Sequence, residues 1–245
     1  MISDVLTVVW KETKELFALG GSVRGGRLSV LLMIGVFGVF LPLQMGRSWI
    51  TSPMTLVLWA WVPLMLVAGV IADSFAGERE RRTLETLLAS RLPDGAVLLG
   101  KVSAGIAYGW IFMLAMLLCG LVTVNIAYGR EGLLLYSPAF LAGALAGGLL
   151  TSALAASAGV LVSLRAPTVR QATQTLNIAI MLCLFIPAFG IPALPAPWKA
   201  ALLVSLTTLS VAQWIVAVCA VLAAVDVALL AAAMARFRRA RLVLD

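Results

Sequence analysis

The chain has 245 residues, of which 62% are hydrophobic and only 12% charged, with a mean hydropathy of +1.06 and a net charge of +7. A soluble protein carries about twice that charged fraction, so composition excludes a water-soluble domain and points to an all-α membrane protein. Histidine is absent, and Cys119, Cys183 and Cys219 are scattered through apolar runs, which excludes most zinc, haem and histidine-based catalytic schemes.

In chain order, residues 1–20 interleave Val5, Val8, Val9, Leu16 and Phe17 with Lys11, Glu12, Lys14 and Glu15. That pattern predicts an amphipathic helix lying along the membrane surface, and it lacks the uninterrupted apolar core of a cleavable signal peptide. Glycines at 20–21 and 25–26 supply a break before the membrane. Six apolar runs follow, at about 28–44, 54–72, 102–124, 138–164, 173–191 and 211–235. Each is close to the ~20 residues that cross a bilayer as a helix.

The second run carries Trp59, Trp61 and Pro63, and the third carries Gly105 and Gly109 at fourfold spacing. The fourth repeats small residues at the same spacing: Gly143, Gly147 and Thr151 beside Ala144, Gly148, Ser152 and Ala156. Such stripes let helices approach closely in lipid, within one chain or between subunits. The fifth run closes in a proline-rich exit over 187–197. Residues 198–210 are too short to span and read as a short external helix between spans five and six. Asp226 is the one acidic residue deep in a span, a candidate for a transport path or a buried pairing.

Positive charge sets the orientation. With an even number of spans, fifteen of the eighteen basic residues fall on one side, and only Arg47, Arg130 and Lys199 on the other. The positive-inside rule places both termini in the cytoplasm. The net charge is therefore topological and calls for no nucleic acid.

The longest polar interruption, residues 73–101, holds five of the eleven acidic residues. Asp73 or Ser74 can cap a helix there, and Glu78 with Arg82, and Arg81 with Glu85, fall at i,i+4. Leu84, Leu87, Leu88 and Leu92 make an apolar stripe, and Pro93-Asp94-Gly95 turns the chain back toward the third span. The segment reads either as a loop on the headgroups or as a docking helix for a soluble partner.

The run D-x-x-x-G-E-R-E-R-x-T-L-E-x-L-L-x-S-x-L-P from Asp73 to Pro93, followed by Gly100-Lys101, resembles the first cytoplasmic loop of ABC-2 type permeases. These are membrane subunits of ATP-binding cassette exporters. The Trp-Lys-Glu-x-Lys-Glu-Leu run at 10–16 is similar, more loosely, to their N-terminal elbow helix. The resemblance implies a single domain over 1–245 in the cell (inner, cytoplasmic) membrane, contacting lipids. It implies a coupling helix between spans two and three that meets a dimer of separate ATPase subunits. A second permease copy, or a related permease, completes the assembly. Asp73, Gly77, Glu78, Arg79, Glu80, Arg81, Thr83, Leu84, Glu85, Leu87 and Leu88 would form the coupling site, with the charged members contacting the ATPase. The chain departs from many relatives at Arg91-Leu92-Pro93, where a tight Ser-Pro pair comes sooner.

No complete G-x-x-x-x-G-K-[ST] phosphate loop occurs, because Gly100-Lys101 is followed by Val102. ATP and its magnesium would therefore belong to the partner, and this chain is not expected to be an enzyme or to hold a cofactor or metal. Three other classes compete. An intramembrane enzyme lacks the necessary His, Glu or Asp cluster, and an ion-driven transporter would carry matched intramembrane polar pairs where only Asp226 stands. A non-transporting accessory subunit is compatible with the residues.

Overall fold

The structure, a computed structural model, describes residues 1–22, 31–52, 54–81, 92–200 and 210–237. Among them every regular element is helical. In chain order these are α1 (Ile2–Ser22), α2 (Leu31–Met45), the short α3 (Ser48–Thr51), α4 (Met54–Glu80), α5 (Asp94–Tyr128), α6 (Pro138–Ser163), α7 (Val169–Ala193) and α8 (Val211–Arg236). Four helices are long and apolar enough to cross a membrane: α4, α5, α6 and residues Ala212–Arg236 of α8. The first expected span corresponds to the shorter α2, and the fifth lies within α7.

The helix starts follow local chemistry. Ser137 accepts a hydrogen bond from the Phe140 N–H, with Pro138 preset at the first helical position. Ser210 and Gln213 form a reciprocal capping box at α8. Pro93 stands at the cap of α5, and Asp94 puts a carboxylate in its first turn, the favourable end of the helix dipole. The third span thus begins earlier than its apolar run suggests: Asp94 and Gly95 are already helical rather than part of a turn. At 35 residues, α5 is about 52 Å long at 1.5 Å per residue, well beyond the ~30 Å hydrocarbon core.

α4 is the organising helix, packed against α5, α6 and α7, while α8 lies on α6 and α1 on the start of α5. Val67 and Ile71 of α4 are fully buried and sit against Gly105 and Gly109 of α5 and Gly159 of α6. A methyl group on Gly109 would collide with Val67. Gly148 faces the Met113 thioether and Gly143 faces Ile215, whereas Gly147 borders open space. The small-residue stripes therefore serve packing within the chain, with Gly147 the exception.

α7 runs through Pro187 and Pro192 to Ala193, two residues beyond the expected end of the fifth span at 191. Residues 196–200 are helical, and 201–209 of the expected external segment lie outside the described residues.

Candidate functional site

No separate helix starts at Asp73. α4 continues through it to Glu80, with residues Asp73–Gly77 wound as a wider π-helical turn. Neither Asp73 nor Ser74 caps a helix, because the backbone there is already inside one and both side chains are used elsewhere. One extra residue in a turn rotates the later side chains by about 100° relative to a regular helix. Glu78, Arg79 and Glu80 thus point to different neighbours.

Glu78 turns to α5. Its carboxylate lies 2.9 Å from the Lys101 ammonium, and Glu12 of α1 lies 2.9 Å from the same nitrogen. Lys101 also donates to the Ser74 hydroxyl at 3.0 Å and the Ser74 carbonyl at 3.1 Å, while the Ser74 hydroxyl reaches Glu12 at 3.2 Å. The Phe75 ring lies beneath the ammonium, 5.4 Å away. The Lys101 side chain is 1% exposed, so this charge persists only because two carboxylates and two Ser74 oxygens replace its water. Neighbouring Gly100 explains how α1 gets close enough: any side chain there would strike Val8.

Lys11 flanks the cluster, 3.7 Å from Glu12, 3.5 Å from Glu15 and 3.9 Å from Glu78. Burial opposes its charge, but the carboxylates of Glu12, Glu15 and Glu78 outweigh burial and hold its pKa above the ordinary lysine value.

Arg79 turns the other way and donates to the carbonyls of Leu164, at 2.9 Å, and Ala166, at 3.2 Å. Those carbonyls end α6, where a helix leaves acceptors unsatisfied. Glu80 accepts from the Val169 N–H that opens α7, at 3.2 Å. Arg81 pairs with Asp73 at 3.0 Å on the surface. Gly77 makes room for that carboxylate, since a methyl group there would lie 2.7 Å from Asp73 Oδ1. Within the coupling set, Glu78, Arg79 and Glu80 thus tie the end of α4 to α1, α5, α6 and α7, while Asp73 and Arg81 pair with each other. Thr83, Leu84, Glu85, Leu87 and Leu88 lie outside the described residues.

Sequence reading omitted Glu12, Ser74 and Lys101 from the site. Gly100-Lys101 was the available signal, a small residue beside a cation at the mouth of a span. Gly95 stands five positions before Gly100, so only Val102 departs from the phosphate-loop pattern. Here, however, Gly95–Lys101 is continuous helix with the lysine committed to carboxylates, which is not a strand–loop–helix cradle for phosphate.

Two features lie deeper. A cleft of about 330 Å³ opens between α4, α6 and α7, lined by Val57, Trp61, Leu64, Leu154 and Ile180, with Cys183 at its edge. Its one hydroxyl, on Thr151, already donates to the Gly147 carbonyl at 2.9 Å, so the cleft offers apolar surface only. Asp226 is 8% exposed in α8, and neither carboxylate oxygen has a hydrogen-bond partner among the described residues. A buried carboxylate without a partner is costly in an apolar surrounding.

Among the described residues no group of acidic, cysteine or histidine side chains is arranged to hold a metal ion. Searches of curated proteins and of solved structures each returned no match. A family model described as "ABC-2 family transporter protein" matches residues 41–228, most of the chain.

Proposed function

The chain belongs to the ABC-2 transporter family and is a multi-pass permease subunit of an ATP-binding cassette transporter; we propose that it is driven through the segment 73–101 and works as an exporter. The whole of 1–245 acts as one membrane domain with α2, α4, α5, α6, α7 and α8 as six spans. Both termini face the cytoplasm of a cell (inner) membrane, α1 is the interfacial elbow, and a short external helix precedes α8. Two permease copies, or this chain and a related permease, work with two ATPase subunits that bind ATP and magnesium. The permease itself contributes no catalytic residue.

The observation that carries this reading is the buried Glu12–Lys101–Glu78 network with its Ser74 link. A push on a floppy loop is lost in bending, but a push on 82–91 enters α4 at Glu80 and α5 at Asp94. Both helices are fastened to α1 at that end. Arg79 and Glu80 extend the fastening to α6 and α7, so ATPase closure would tilt several helices together. Glu78 and Arg79 act as the root of the coupling segment, while Thr83, Leu84, Glu85, Leu87 and Leu88 dock on the ATPase with Glu80 and Arg81 beside them. The apolar cleft between α4, α6 and α7 suits passage of the hydrocarbon part of a substrate.

The test is purification of tagged protein from its own membranes in mild detergent, with mass spectrometry and an ATP hydrolysis assay. A P-loop ATPase should copurify, and Leu84→Glu with Leu88→Glu should release it without altering the permease's elution. An intact permease that brings down no ATPase would overturn the proposal.

A further inference from the structure

A second charged feature at the same end is not used by the coupling network. Between the end of α6, the first turns of α7 and the end of α8 lies a pocket of about 420 Å³. Arg165 and Arg236 line it together with Gln171, and its floor is aliphatic, from Leu161, Val162 and Ala232. Neither arginine has a carboxylate or carbonyl partner among the described residues, and the Gln171 amide is likewise unengaged there. Glu80, which accepts from the Val169 N–H at the start of α7, does not line this pocket. Two guanidiniums without described partners thus face one cavity, at the opening of a 25-residue helix whose dipole adds positive potential there.

We propose that this pocket binds the phosphate of an anionic lipid, with Arg165 and Arg236 clamping the headgroup and the aliphatic floor receiving the start of its chains. A guanidinium presents its donors as a planar fork that fits phosphate oxygens two at a time. A free phosphate would satisfy the arginines but leave the floor wet, whereas a lipid covers both. The location agrees, since α6 and α8 are membrane-crossing helices and the arginines stand at or just past their ends, at headgroup depth. The inference needs only this membrane placement and stands whether or not an ATPase docks.

Native mass spectrometry of the purified full chain tests it, using phosphatidylglycerol and phosphatidylcholine with identical acyl chains. Wild type should retain phosphatidylglycerol over phosphatidylcholine by roughly ten- to thirtyfold, two arginines acting together. R165Q/R236Q should abolish the preference. Ala232→Trp, which fills the floor and keeps both charges, should weaken retention of the anionic lipid. R238Q/R239Q/R241Q should leave the preference intact. Millimolar inorganic phosphate should fail to displace the lipid. Equal retention of the two lipids, a preference that survives R165Q/R236Q, loss on the 238–241 change instead, or displacement by phosphate at lipid-equivalent concentration would each overturn the proposal.

Discussion

Replacing Lys101 by methionine keeps its length and apolar stem and removes its charge. The wild-type ammonium is 1% exposed and sits 2.9 Å from each of two carboxylates that are themselves 8% and 12% exposed. Removing it takes from Glu12 and Glu78 the buried cation they share and leaves half-exposed Lys11 at 3.7 and 3.9 Å. Breaking a buried pair in this way costs about 3–5 kcal/mol, most of it the penalty of an uncompensated charge. By contrast, Arg81 and Asp73 form a 3.0 Å pair exposed at 57% and 38%, worth ~0–1 kcal/mol. At about 2–4 °C per kcal/mol for a chain of this size, Lys101→Met should melt roughly 6–20 °C below wild type by tryptophan fluorescence in detergent. Arg81→Met should stay within about 4 °C. The triple change E12Q/K101M/E78Q removes the stranded charges and should recover most of the loss. If Lys101→Met melted with wild type, or the triple variant melted no higher than the single, the network would not hold α1, α4 and α5 together.

Arg79→Ala frees the Leu164 and Ala166 carbonyls and should cost about 3–6 kcal/mol, the two charged hydrogen bonds being worth ~1.5–3 each. Amide exchange should rise at 164–169, and no change there would refute the tie. Gly109→Val drives a branched side chain into fully buried Val67 and should destabilise by ~1–3 kcal/mol, whereas Gly147→Val, with nothing nearby, should be close to neutral. Equal melting temperatures for the two variants would sink the packing argument. Because the folded-state pKa of Lys11 is raised, its contribution is complete below the ordinary 10.5 and fades as pH climbs through the raised value. The stability gap between wild type and Lys11→Met should therefore be flat to about pH 10 and close above it; a gap that widened with pH would reverse the sign. Asp226→Leu removes a buried carboxylate with no described partner and should raise stability by about 1–3 kcal/mol while lowering transport at equal expression. A variant that both melts lower and exports normally would show that Asp226 has a structural partner and no transport role.

Much of the architecture was legible in the residues. The long apolar runs became α4, α5, α6 and α8, and the runs expected from 138 and 211 begin where α6 and α8 begin. The run from Asp73 to Lys101 carried the family, which the match over 41–228 bears out. The helix boundaries in that run were less legible. Charge and cap preferences argue for a fresh start at Asp73, yet α4 carries on through it, because propensity is a weak prior once a helix is already propagating.

Membrane residence and the clustering of basic residues toward one end are determined by the sequence itself. Both come from transfer free energies that add residue by residue within windows of about twenty, with no reference to distant contacts. The partners of each charge were decided only by the tertiary structure. Glu12 and Lys101 are 89 positions apart, and Arg165, just past the end of α6, shares a pocket with Arg236 at the end of α8. Those meetings depend on Gly100 admitting α1, on the π-helical turn rotating Glu78 toward α5, and on α8 lying against α6. Desolvation makes each meeting energetically decisive, and desolvation exists only once the helices have packed.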